Sequence, residues 1–337
     1  MAERALSKMQ FGKETVNGTA VAADTVLVGE HQPITPDITN EIIQEDIGVR
    51  AEGFRARNGD VKLVTDAIRI PHAYYQALPA LLSCGVKGSI GPSEQTSGEG
   101  DYEWDFDPSM TASNSIDSLT LELGDDDAVL EREYLMFEGY RIQWEVPQQR
   151  ASSPVLFEGQ YFARQNTDTT GFTAALSLPS TENLVGKLFR YYRDTSWAGL
   201  GGTEKTGALR GADIQLFTGV HPKFMGGANK YFDSHGENEL RFTAAITFEG
   251  GTEADAVRTL MEAATKSFVR LEVSGAQIGS GVNHKFTLDL AGFWVDVVQM
   301  DGEDRGNNLW TAMLYGMYDT TGGKVYRTAV ITDVSAI

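Results

Sequence analysis

The chain has 337 residues, length for about two domains, and a formal net charge of −19 from 47 acidic against 28 basic side chains. No Lys and Arg cluster is present to grip a phosphate backbone, and a lone cysteine, Cys84, excludes a disulfide framework or a thiolate metal cluster. With no signal-peptide core and no apolar run near the roughly 18 residues of a membrane helix, the expectation is a soluble protein that matures in a reducing cytosol.

Gly, Thr, Val, Phe and Tyr are plentiful and long helical periodicities are missing, which predicts a mainly β fold. Residues 1–29 are small and polar and read as an extended arm. Within it Asn17, Gly18 and Thr19 match a glycosylation sequon but read as a turn. A Gly-rich connector at 53–60 leads to a strand at 64–70, then to a helix from Pro71 to about Leu82. Pro71 suits the start of that helix, and Pro79 kinks or splits it. A strand at 86–90 and a polar loop at 93–100 follow. From Asp101 to Asp107 acidic and aromatic residues alternate, the period of a strand with one charged face, solvated or lumen-facing rather than a calcium loop. Asp125, Asp126 and Asp127 are the one short acidic run. The strands 136–146 and 155–164 form a hairpin, and residues 166–180 read as a linker.

Beyond the linker the same order returns: a connector at 226–237, a strand at 242–248, a helix from Thr252 to about Lys266, a strand at 268–273 and a hairpin of 291–300 with 309–318. Thr252 reads as an N-cap, with Asp255 three residues on. A last strand covers 325–331. Internal duplication is the predicted architecture. Aligning Gly139 with Gly292 places Tyr140, Ile142 and Trp144 opposite Phe293, Val295 and Val297 on a buried face. Arg141, Gln143 and Glu145 then lie opposite Trp294, Asp296 and Val298 on the other.

No motif carries chemistry. His31, His72, His221, His235 and His284 have no metal-ligand spacing. The stretch 199–206 resembles a phosphate loop, but Glu204 stands where Gly is required. Carboxylates are too numerous for any pair to signal glycoside hydrolysis. Cys84, at a helix C-terminus, lacks the dipole that activates thiols. The expectation is no enzyme, no catalytic residues, no cofactor and no metal.

Several segments, in order, resemble the major tail tube proteins of phages with long non-contractile tails. They are 11–23 (FGKETVNGTAVAA), 105–124 (DFDPSMTASNSIDSLTLELG), Phe137 to Gly139 with the strand after it, 223–227 with 231–240, and 303–308 (EDRGNN). The resemblance implies two tandem tube domains, each a β-sandwich with one flanking α-helix. Their inner sheets would join into a shared β-barrel on oligomerisation. The divisions expected are an arm at 1–29, tube domain 1 at 30–165, a linker at 166–180 and tube domain 2 at 181–337.

The implied role is a structural virion protein, assembled in the host cytoplasm and resident in the tail. Its partners would be copies of itself, three chains making a pseudo-hexameric ring that stacks into a tube, with the tape measure protein and the tail tip and terminator proteins. DNA would pass through an acidic lumen without specific binding, and no membrane is involved. Gln143, Glu145, Glu158, Gln160 and Asp296 are the residues expected to line the channel. Residues 1–30 and the 93–100 loop are expected to be flexible until rings stack. The alternative is a two-domain β-sandwich that binds carbohydrate or acts on glycans, which would need a pocket with aromatic walls.

Overall fold

A computed structural model describes residues 6–31, 34, 36–43, 48, 55–125, 127–147, 152–304 and 306–337. Residues 1–5 of the expected arm, 53–54 of the first connector, Asp126 and Arg305 lie outside it. The fold is mainly β. The first strands are β1 Lys8–Lys13, β2 Thr25–Leu27, β3 Glu30–His31, β4 Asn40–Ile43, β5 Arg55–Asn58 and β6 Val64–Ile70. After helix α1, Leu78–Ser83, come β7 Ser93–Glu94, β8 Tyr102–Phe106, β9 Leu119–Gly124, β10 Val129–Glu145, β11 Leu156–Ala163 and β12 Thr167–Thr169. The rest are β13 Arg190–Asp194, β14 Leu209–Phe217, β15 His221–Lys223, β16 Ser234–Gly236, β17 Arg241–Glu249, helix α2 Thr252–Glu262, β18 Lys266–Gln277, β19 Asn283–Asp304, β20 Asn307–Gly316 and β21 Tyr326–Thr332.

One antiparallel layer runs β3–β6–β11–β10–β14–β17–β20–β19. It consists of two four-strand sets with the same order, joined where β10 meets β14. β10 and β19 are long enough to serve two sheets. β10 begins against β9 and β12 before reaching β11 and β14. β19 begins against β18 and β21 before reaching β20. Those first portions anchor the second layer, β2–β1–β9–β10–β12 on one side and β13–β18–β19–β21–β8–β7 on the other.

Alternation explains the layering, because successive strand residues face opposite ways. Phe242, Ala244, Ile246 and Phe248 of β17 are buried, and so are Ala212, Ile214 and Leu216 of β14. They pack into one hydrophobic core that draws on both halves of the chain. Helix α1, Leu-Pro-Ala-Leu-Leu-Ser, is buried along its whole length. Helix α2 is amphipathic and turns Ala254 and Val257 inward. The halves also interlock: β8, early in sequence, pairs with β21 near the end, and Trp104 donates its indole N–H to the Val334 carbonyl at 2.9 Å.

The structure corrects several expectations. Segment 8–27 is no free arm: β1 lies between β9 and β2, and Met9, Phe11, Val26 and Leu27 are buried. Met9 and Phe11 alternate with polar neighbours, a strand signal hidden by the small residues after them. Buried Glu14 seals this segment, accepting from the Gly18 and Tyr134 amides and the Ser118 and Thr120 hydroxyls. The 93–100 loop is likewise hydrogen-bonded, Glu94 accepting from the Gly98 and Gly100 amides. Residues 86–90 form no strand; β9 takes that place. Pro79 lies in the first turn of α1, which starts there instead of kinking. Gly251, not Thr252, is the N-cap of α2, and the helix stops at Glu262. β12 interrupts the linker expected over 166–180.

Strand pairing also fixes how the two hairpins correspond. Ile68 and Ile246 lie opposite Gly159 and Ala312, which lie opposite Tyr140 and Val297. Tyr140 therefore matches Val297, and Gly139 matches Asp296 rather than Gly292. Each strand carries a bulge just before, at Glu138 in β10 and Val295 in β19. A bulge inserts one unpaired residue and switches which face the following residues take. Trp294, expected on the polar face, is thus buried, while Val295, expected inside, is 55% exposed. Phe293 stands opposite Tyr315 on the open face, not in the core. Tyr140, Ile142 and Trp144 are buried as expected, and Val297 packs against the core.

Candidate functional site

The face of the eight-strand layer turned away from the core is open, and it gathers all five candidate residues. Glu158 and Gln160 project from β11, Gln143 and Glu145 from β10, and Asp296 from β19. Alternation puts them there, since their neighbours Phe157, Tyr161, Ile142 and Trp144 are buried. They do not converge. Asp296 lies four strands from the β10 pair, opposite Met313.

Around the first hairpin the face is ionic. Arg69, Glu158, Arg141 and Gln215 stand in one cross-strand row. Glu30 extends it to β3, 3.7 Å from Arg69. Across the seam between β10 and β14, Arg141 donates to both carboxylate oxygens of Asp213, at 2.9 and 2.6 Å. That bond raises the Arg141 pKa above its ordinary value. The next row places Gln143 opposite Asp213 and Leu156.

Around the second hairpin the central rows of the face are uncharged except for Asp296, with Arg241 and Glu249 at the two ends of β17. The row Thr247, Thr311 and Val298 occupies the place of Arg69, Glu158 and Arg141. Its two threonine hydroxyls meet at 3.3 Å. Met313, Tyr315 and Phe293 fill the neighbouring positions. One end of the strands opens on a recess of about 930 Å³ lined by Met110, Glu237, Arg241, Tyr315, Met317 and Tyr318. Among the described residues no cluster of three or more His, Cys, Asp or Glu could hold a metal ion. No helix is long and apolar enough to cross a membrane.

The arrangement is a broad surface with spaced charges, suited to meeting a large partner over many weak contacts. Sequence reasoning placed Val298 on it, but not Asp213, Gln215, Thr247, Thr311 or Met313. The alternation of β14, with Ala212, Ile214 and Leu216 inside, is the signal that would have revealed Asp213 and Gln215. Other expected strand carboxylates lie elsewhere: Asp105 binds Arg327 and Asp107 binds Lys324 in the second layer. Comparison with protein-family models and with curated proteins finds no match for the chain.

Proposed function

We propose that this chain is a structural protein that assembles with copies of itself into rings, and that the rings stack into a tube of the phage-tail kind. In this reading the two four-strand sets are tandem tube domains, and three chains supply six sets. The open face lines the lumen, with Gln143, Glu145, Glu158, Gln160 and Asp296 on its wall. Acid exceeds base on that wall, so DNA passes without the phosphate contacts that would hold it.

The observation that carries the reading is the seam of β10 with β14. There the last strand of one set pairs with the first strand of the next, and the polar face continues across. An operation that joins set to set within the chain can repeat between chains, and a ring is what such a repeat gives when it closes. Closure would also cover the outer side of β19, which beyond its bulge is paired, among the described residues, to β20 alone and would otherwise invite uncontrolled pairing. Electron microscopy of the concentrated protein tests this. Rings and stacked tubes are expected; a monodisperse monomer at all concentrations would remove the reading.

A further inference from the structure

Resting on that reading, we propose which surfaces stack one ring on the next. The short turn Gly186–Leu188 of one copy, with Val185 before it, seats in the recess beside Tyr315 of a copy in the adjoining ring. The two surfaces belong to opposite ends of the eight-strand layer. The turn sits at the Glu145 end. Val185 bridges Pro154 just before β11, the Gly186 amide donates to the Ser153 carbonyl at 2.8 Å, and the Ser153 hydroxyl donates to the Glu145 carbonyl at 2.6 Å. The recess lies at the other end, where β20 finishes at Gly316 and β17 begins at Arg241. The ten residues of β20 hold those ends about 30 Å apart. Copies shifted along the strands meet there head to tail, and a contact of that kind repeats into an open filament.

Both surfaces are apolar and held in place. Val185 is 37% and Leu188 51% exposed. Their turn has no slack, because a Cβ on Gly186 would come to 2.6 Å from Ser153 Oγ and 2.9 Å from Trp144 Cβ. In the recess Tyr315, Met317 and Tyr318 are 40%, 46% and 44% exposed. The Met317 amide is tied to the Ala291 carbonyl at 3.0 Å. Glu237 fixes the facing wall by accepting from the Ser113 hydroxyl and the Asn114 amide. Single exposed apolar side chains need no partner, but a contiguous apolar rim around a hollow does. The charges are complementary. Lys187 is exposed and, among the described residues, has no carboxylate partner. The recess sets Glu237 and Glu239 against the single cation Arg241, whose guanidinium lies over the Phe217 ring at 4.6 Å. One acid in excess faces one cation. Excluding water from Val185 and Leu188 supplies the attraction, and Lys187 with Glu239 sets the orientation.

Paired cysteines test the joint in the intact protein. Cys84 is buried and its thiol is pushed up by burial, so it stays silent. The variant carrying Leu188→Cys and Met317→Cys is concentrated, oxidised mildly and run on a non-reducing gel beside each single variant. Side chains in contact bring the sulfurs within reach. The pair is expected to give a ladder running well past three chains, since the bonds follow the tube axis, and each single variant only a monomer. Tubes without that ladder, dimers from either single variant, or wild-type rings that never stack would overturn the joint while leaving the ring standing. Absence of particles in every sample would remove both. Leu188→Asp buries an unpaired carboxylate and is expected to shorten tubes about tenfold, with ring yield and circular dichroism spectrum unchanged. Tubes of wild-type length would overturn the apolar contact. Lys187→Glu is expected to shorten them about threefold, an exposed pair being weak singly, and adding Glu239→Lys to restore the length. Failure to restore it would overturn the pairing of Lys187 with Glu239.

Discussion

The two hairpins of this molecule are built alike and finished differently. β10 with β11 and β19 with β20 share pairing order, bulge position and a buried face of aromatic and aliphatic side chains. On the open face one presents Arg69, Glu158 and Arg141, and the other Thr247, Thr311 and Val298. The difference teaches which positions the fold constrains. Alternation and the bulge dictate what enters the core, because one step of slip would expose every apolar side chain. The face away from the core carries no such demand and is free to vary: ionic at the seam inside the chain, largely uncharged around Thr311 and Val298.

The halves also differ beneath the face, and this gives the largest expected effect. The first buries Arg132 completely, with Asp66 at 2.9 Å, the Asn166 amide oxygen and the Tyr161 hydroxyl around it. The second buries a carboxylate instead, Asp289, held by Arg270 and Arg327. Arg132→Ala strands Asp66 and should cost about 3–5 kcal/mol in denaturant unfolding. Arg270→Ala, which leaves Arg327 near Asp289, should cost about 1–3 kcal/mol. Equal losses would break the contrast.

Gly139 and Gly292 look alike in sequence but are not equivalent in the layers. A Cβ on Gly292 would run into the Tyr315 carbonyl, whereas on Gly139 it would meet the Leu216 carbonyl at 3.0 Å. Gly292→Ala should cost about 1–3 kcal/mol, measured by thermal unfolding, and Gly139→Ala clearly less. The reverse order would contradict the correspondence drawn from strand pairing.

Acid should loosen the contact between the halves. His284 of β19 stacks on Tyr75, their ring centres 5.4 Å apart, and burial holds its pKa below the ordinary value despite Asp333 and Glu182 nearby. The folded state therefore binds fewer protons than the unfolded chain, so this contribution is full above about pH 6.5 and lost as pH falls below it. His235 is shifted the same way by burial and leaves a residual slope. His284→Phe, which keeps the stack, should flatten stability between pH 7 and pH 5; an unchanged slope would assign the effect elsewhere. The smallest effect belongs to Arg141→Val, which makes the first hairpin resemble the second. Its bond to Asp213 is partly solvated, so the cost should not exceed about 1 kcal/mol, read from the urea midpoint.

The repeat, the hairpins and the inward positions of β17 were legible because apolar residues recur there at period two. The bulges were not: Glu138 and Val295 follow no turn signal, and aligning two glycines across them placed Phe293 and Val295 on the wrong face. β1 was hidden because only Met9 and Phe11 announce it amid small residues. The pairing of β8 with β21 joins residues more than 200 positions apart, which no local pattern encodes. Of the open face, the five candidates from β10, β11 and β19 were readable from alternation, but Thr247, Thr311 and Met313 were not, since threonine and methionine suit either side of a strand.

Native mass measurement of the isolated ring tests the central claim most directly. Two strand sets in each 36.8 kDa chain, joined end to end, should close as three chains with six sets around the lumen. A mass of three chains is the result expected. A ring of six chains would mean that each chain contributes one set to the wall, and would contradict the account.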